Sequence, residues 1–367
     1  MSVIKATGLV VAAGLSSRMG AFKPLLDLAG KPLICRTVES LLQGGAEQVV
    51  VVTGRNQQAI TQALENYPEV QTVYNRLYEQ TAMYDSIKLG VQQLPVCDVV
   101  LFLPADVPSI RPETIGLLLH RWEQTRPDVL LPVYQNACWH PPLIAGNQLA
   151  QLLQYHGDGG LKAALEALCE NIETEIVPDV GCTLDADYQK DYAYICRYWP
   201  RRYRPDWTHC QSFYELAATP EPVQQHCRAV AEKALELGKL LQQKGVLLQL
   251  DLLESAALLH DVCRTKKGHA AAGAAFLRYY GLDQVAQLVE VHMDWPQNQP
   301  VALNEAAILY LADKLVSGDG QVPLADRFAE KRKKYAAQQE IVMKIVQREQ
   351  TALEIIQLLK QQGITVE

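Results

Sequence analysis

Two sets of residues in this chain have the types and spacing that chemistry needs. The first lies in the run LVVAAGLSSRMGAFKPLLDLAGKPLI, residues 9–34. Ala12, Ala13 and Gly14 end an apolar stretch, Gly20 follows six residues later, and Ser16, Arg18 and Lys23 lie within or just after the loop. Glycines let a triphosphate approach backbone N–H groups closely. Arg18 adds a planar fork for phosphate oxygens and Lys23 a point charge. The run fits neither the Gly-Lys-Ser/Thr phosphate loop nor the Gly-x-Gly-x-x-Gly dinucleotide turn. Asp106, in LFLPADVPSI, ends another apolar stretch. A carboxylate so placed suits Mg²⁺, which takes one or two carboxylates and completes its shell with substrate phosphates and water. TLDADYQKDY supplies two more, Asp185 and Asp187, which would share a side if the segment were a strand.

The second set is spread over the C-terminal half: His226, His260 with Asp261 directly after it, His269, His292 and Asp313. Imidazole and carboxylate together suit Mn²⁺, Fe or Zn²⁺. The set is large enough for one ion or for two, and paired ions are a common device of phosphate hydrolysis. Lys266 and Lys267 follow closely and are candidates to touch a substrate phosphate.

The elements that must position these residues differ between the halves. Up to about residue 195, apolar runs (7–14, 48–54, 70–75, 97–106) alternate with helical segments (32–45, 56–67). Continuous Val/Leu runs bounded by Gly, Pro and Asp are those of strands buried on both faces, so the expectation is an α/β Rossmann-like domain with a mostly parallel sheet. Ligands in such sheets lie beyond the carboxyl ends of the strands, where Gly14 and Asp106 fall. From about 221 onward nearly every segment has apolar residues at helical spacing, which predicts an all-α domain. The expected divisions are 1–195, a connector 196–220 rich in Arg, Pro and aromatics, a helical domain 221–330 and a helical extension 331–367. The basic run EKRKK in that extension is read as a solvated helix face.

A net charge of −7 argues against a general nucleic-acid or membrane-surface binder. Nine cysteines without a Cys-x-x-Cys pair argue against a thiolate zinc site and, with no signal peptide evident, for reduced thiols in the cytoplasm.

The motif Ala-Ala-Gly-x-Ser-x-Arg-Met-Gly-x-x-Lys, followed by Gly-Lys-Pro-Leu and by LPADVP, resembles the signature of the MobA-like nucleotidyltransferases. The resemblance implies that Ala12 to Gly20 with Arg18 and Lys23 bind an NTP, that Asp106 holds Mg²⁺, and that an acceptor attacks the α-phosphate with release of pyrophosphate. AAG and KPLL are similar to the branch that makes molybdopterin cytosine dinucleotide, which implies CTP and molybdopterin as substrates and a molybdoenzyme or cofactor-delivery protein as a further partner. WHPPLI, GDGGLK and DADYQK resemble later segments of that branch but carry Trp139, Lys162, Tyr188 and Gln189 where it has other residues. A sugar or alditol phosphate is therefore the alternative acceptor.

The second set resembles the HD-domain metal phosphohydrolases, over roughly residues 221–330. That likeness implies His226, His260, Asp261 and Asp313 as metal ligands, His269 and His292 as ligands of a second ion, and catalytic roles for Asp261 and Lys267. The alternative is a module that binds a nucleotide and regulates the first half.

Overall fold

The computed structural model describes residues 4–14, 19–296 and 299–366. The chain divides into two compact units, Met1–Arg202 and Tyr203–Glu367.

The first unit begins with β1 (Ala6–Ala12), a ribbon of β2 (Asp27–Leu28) and β3 (Lys31–Pro32), α1 (Leu33–Gln43), β4 (Gln48–Thr53), α2 (Gln57–Ala63), β5 (Val70–Tyr74), α3 (Met83–Val91), β6 (Val99–Pro104) and α4 (Pro112–Thr125). It continues with β7 (Val129–Tyr134), β8 (Ala137–Cys138), β9 (Leu143–Ala145), α5 (Leu149–Gln154), α6 (Gly160–Leu168), β10 (Ile172–Ile176) and α7 (Gln189–Tyr198). The main sheet has the order β10-β7-β9-β6-β1-β4-β5, with β8 on β7. β1 pairs in parallel with β4 and β6, and β4 with β5, while β9 runs antiparallel between β6 and β7. β1 is buried along its whole length and β4 at all but its first residue, because helices cover both faces. That double burial is why these strands read as unbroken apolar runs.

Two features fix the mouth of the sheet. Gly20 has φ +71°, in the left-handed region that a side chain rarely adopts. The segment after β10 is anchored by Asp179, which is buried against Arg111 at the start of α4. Its carboxylate accepts from Arg111 N (2.9 Å), Thr114 Oγ1 (2.7 Å) and Gly181 N (3.0 Å), and lies 3.5 Å from Arg111 Nε. Asp179→Ala would leave the Arg111 guanidinium buried without its counter-charge. The expected loss is about 3–5 kcal/mol of stability, measured by urea unfolding of the full chain.

The second unit is a helical bundle: α8 (Trp207–Ala217), α9 (Glu221–Gln243), α10 (Leu250–Leu259), α11 (His269–Tyr279), α12 (Asp283–Val291), α13 (Glu305–Leu315), a ribbon of β11 (Val316–Ser317) and β12 (Gly320–Gln321), α14 (Leu324–Lys334) and α15 (Gln339–Gln361). α10 and α13 are its central helices, apolar nearly all round and almost wholly buried. Its core draws in both stretches that the sequence sets apart. Cys210, Phe213 and Tyr214 of α8 lie in it, from the presumed connector, as do Ile345, Ala352, Ile355 and Leu359 of α15, from the presumed extension. The apolar face of α15 is what brings the C-terminal segment into the bundle. Among the described residues, no helix is long and apolar enough to cross a membrane.

Candidate functional sites

In the first unit, a cavity of about 370 Å³ opens at the carboxyl ends of β1 and β6. Ala12, Ala13 and Gly14 line it from β1 and the residues after it, Asp106 from just beyond β6, and Lys23 and Asp187 from the flanking segments. Ser16 and Arg18 lie outside the described residues. Gly14 has open space where a Cβ would stand, so its backbone is accessible. Lys23 Nζ donates to Asp106 Oδ2 (3.1 Å) and to Asp187 Oδ1 (2.6 Å). Burial works against the Lys23 ammonium, but Asp187 and Asp106 outweigh it and hold its pKa above the usual value.

Asp185 and Asp187 are not in a strand. They lie in an irregular stretch before α7, held to the segment just beyond β6 by Ala186 N donating to Asp106 O (3.0 Å). Burial, and then the charges of Asp187 and Asp106, push the Asp185 carboxyl up. Two carboxylates on one ammonium, with a third close enough to be raised by them, fit a divalent cation, since it would relieve a repulsion that Lys23 only partly offsets. His140 is half-buried beside the Phe102 ring, with a centroid separation of 6.4 Å. Burial lowers its pKa against the opposing pull of Asp106. Tyr84 and Asp85, in the segment that resembles an acceptor loop, have local partners. Tyr84 Oη donates to Leu152 O (2.8 Å), and Asp85 accepts from Ala82 N at the start of α3 (2.9 Å).

In the second unit the six predicted ligands converge. His226 Nε2 is 3.4 Å from Asp313 Oδ1, and His260 Nε2 is 3.7 Å from Asp261 Oδ2 and 3.9 Å from Asp313 Oδ1. His269 Nε2 and His292 Nε2 are 3.1 and 3.6 Å from Asp261 Oδ1. Each element does specific work here. α10 delivers His260 and Asp261 at its end, α9 and α13 bring His226 and Asp313, and α11 and α12 bring His269 and His292.

Three of the imidazoles are oriented in the same way. Nδ1 of His226, His260 and His292 lies 2.8, 2.7 and 2.6 Å from the backbone oxygens of Gly318, Ala257 and Val289. A carbonyl only accepts, so Nδ1 carries the proton and donates. In the neutral ring, Nε2 then presents its lone pair to the cluster, the usual outer support of a metal-bound histidine. His260 is held neutral: burial, only partly opposed by Asp261, lowers its pKa to about 4. Burial would raise the Asp261 carboxyl, but His260, His269 and His292 outweigh it and hold it well below the usual range.

His260 Nε2, His292 Nε2 and Asp261 Oδ1 are buried without a hydrogen bond. Each such atom costs about 1–3 kcal/mol, so three of them gathered at the Asp261 carboxylate call for a ligand. Two ligand triples are formed, His226–His260–Asp261 and Asp261–His269–His292, and Asp261 belongs to both.

A cavity of about 460 Å³ opens on this cluster. Lys267 is exposed on the turn before α11 and is not among its lining residues. The cation beside Asp261 is Arg264, at 3.5 Å. Sequence reasoning also missed Lys314, buried and donating to Asp313 Oδ2 (2.9 Å), and Arg327, whose Nη2 is 3.6 Å from Asp313 Oδ1. Lys314 had a signal, since it directly follows a predicted ligand. EKRKK is not simply a solvated face, because Lys331 is half-buried and lines the cavity.

A cavity at the carboxyl edge of a parallel sheet and a histidine–aspartate cluster inside a helical bundle give the two units separate candidate sites. Residues 8–172 match the family model of the MobA-like NTP transferase domain and residues 223–318 that of the HD domain. The chain thus joins a MobA-like nucleotidyltransferase domain to an HD domain, as the motifs at 9–34 and 226–313 imply.

The chain is 24% identical over 184 residues to the molybdenum cofactor cytidylyltransferase of Escherichia coli, covering 50% of this chain and 92% of that protein. It is 34% identical over 112 residues to the bifunctional protein GlmU of Halorhodospira halophila, covering 30% of this chain and 23% of that protein. The chain spans about a quarter of the length of the GlmU relatives it matches. Among solved structures, that of Rv0371c from Mycobacterium tuberculosis is similar at 22% identity with a TM-score of 0.47, over 54% of this chain and 100% of that one.

Proposed function

We propose that the protein is bifunctional: the first unit transfers a nucleotide from an NTP to a phosphorylated acceptor, and the second is a metal-dependent phosphohydrolase. The observation that carries the first half is the pairing of Lys23 with Asp106 and Asp187 in the cavity beside Gly14, with Asp185 near enough to feel both carboxylates. A phosphate oxygen of the acceptor attacks the α-phosphorus of the NTP, the bond to the bridging oxygen breaks, and pyrophosphate leaves. Lys23 and Arg18 carry the negative charge that builds on the leaving group. Asp106, with Asp185 or Asp187, would hold Mg²⁺, which supplies charge neutralisation and orientation of the phosphates when bound.

CTP is the favoured nucleotide and molybdopterin the favoured acceptor. The Ala-Ala-Gly motif and the similarity to a cytidylyltransferase support this choice. Trp139, Lys162, Tyr188 and Gln189 support the second reading, a sugar or alditol phosphate acceptor. Incubation of the full chain with each NTP, Mg²⁺ and each acceptor tests the reading through pyrophosphate release. CTP with molybdopterin is expected to give the fastest release. Release only with a sugar or alditol phosphate would replace the acceptor, and release with neither would sink the transferase reading.

For the second unit, the three buried atoms without hydrogen bonds carry the reading. His226, His260, Asp261, His269, His292 and Asp313 would hold one or two of Mn²⁺, Fe or Zn²⁺, which activate water and polarise phosphate oxygens when bound. Lys314 and Arg327 hold Asp313 ionised and in place.

A further inference from the structure

The cavity on the histidine–aspartate cluster has a second wall that the cluster does not use. α14 offers Arg327, Lys331 and Lys334 at spacings of four and three residues, which puts them on one helix face. All three line the cavity, together with Arg348 of α15, Lys314 and Arg264. The lining carboxylates are Asp261, Asp313 and Glu330, and the first two belong to the cluster. This wall is therefore strongly positive in a chain of net charge −7.

Part of that charge is committed. Arg348 forms a pair with Asp294 (2.7 and 2.9 Å), and Arg327 Nη1 donates to the backbone oxygens of Asp313 and Val316. Lys331 is half-buried and, among the described residues, its side-chain ammonium joins no hydrogen bond or ion pair. These pairings do not account for Lys331 and Lys334, whose like charges are repelled by the cations beside them. An anion in the cavity accounts for them. The space is that of a small-molecule site and too small for a duplex.

We propose that this wall is the subsite for a chain of linked phosphates, with one phosphate at the cluster and the next ones on Lys331 and Lys334. It is built by α14 and α15, beyond the residues 223–318 that match the HD domain. The inference rests on reading the cluster as a phosphohydrolase centre, and it names the substrate class as an oligophosphate. The chain could belong to a nucleoside or be inorganic.

The test uses the full chain carrying Lys23→Ala and Asp106→Asn, which silences the triphosphate cavity of the first unit. Inorganic tripolyphosphate, ATP and orthophosphate are titrated in by calorimetry at low salt. Adding Lys331→Gln and Lys334→Gln is expected to weaken tripolyphosphate at least ~10-fold and leave orthophosphate unchanged, and Lys331→Arg with Lys334→Arg to retain tight binding. Equal affinity for ATP and tripolyphosphate identifies the phosphate chain alone as the ligand, whereas tighter ATP identifies a nucleoside oligophosphate. Unchanged tripolyphosphate binding in the glutamine variant overturns the subsite. If tripolyphosphate binds through the wall but no phosphate is released with Mn²⁺, the hydrolase reading falls and the subsite stands.

Discussion

An Asp106→Asn chain is expected to release pyrophosphate on the order of 10³-fold more slowly than the parent, about 4 kcal/mol of transition-state stabilisation. The substitution keeps the shape of the side chain and removes one negative charge. Lys23 retains its 2.6 Å contact with Asp187 and Ala186 N its bond to the backbone oxygen of residue 106, so the mouth of the cavity should keep its form. What is lost is the carboxylate that stands closest to the end of β6 and is proposed to hold Mg²⁺. The assay belongs in an Asp261→Ala background, so that phosphate released by the second unit is not counted. Unchanged thermal unfolding with the expected loss of rate ties Asp106 to the chemistry. A variant that releases pyrophosphate at the parent rate removes Asp106 from the Mg²⁺ site, and the crowding of Asp185 and Asp187 would then need another explanation.

The sequence exposed those parts of the molecule whose residue patterns have a single physical use. β1 and β4 were legible because strands covered on both faces need unbroken apolar runs. The six cluster residues were legible although 87 positions separate His226 from Asp313, because their order along the chain resembles that of the HD domains, whose family model matches residues 223–318. The basic wall was not legible. Arg327, Lys331 and Lys334 look the same in sequence whether their helix faces water or a cavity. Only the packing of Phe328 on α14 and Ile345 on α15 into the bundle decides which. The Asp179 anchor was hidden for a related reason: it joins residues 68 positions apart, and no local pattern marks either partner.

The largest effect in the second unit is expected at Asp261. It is the one residue common to both ligand triples, so Asp261→Ala should empty the cluster, whereas His226→Ala and His292→Ala should each impair one triple. Metal content of the purified full chain after reconstitution with Mn²⁺ reads this directly: near zero for Asp261→Ala, with an intermediate value for either histidine variant if two ions are held. Hydrolysis of a generic phosphodiester with Mn²⁺ should fall at least ~10³-fold in Asp261→Ala, because the groups that activate water and hold the phosphate fail together. Removing the ions from the parent chain with a chelator should also lower its melting temperature. Saturation at ~1,000 times Kd contributes about 4 kcal/mol to the folded state. Asp261→Ala alone should not repeat that loss in full, since deleting the carboxylate also removes a buried oxygen that makes no hydrogen bond. Metal content that is the same in Asp261→Ala and the parent would mean that the cluster is not the binding site. Metal bound and lost as expected, with a nucleotide raising the melting temperature but no turnover, would make the second unit a sensor, its basic wall then serving recognition alone.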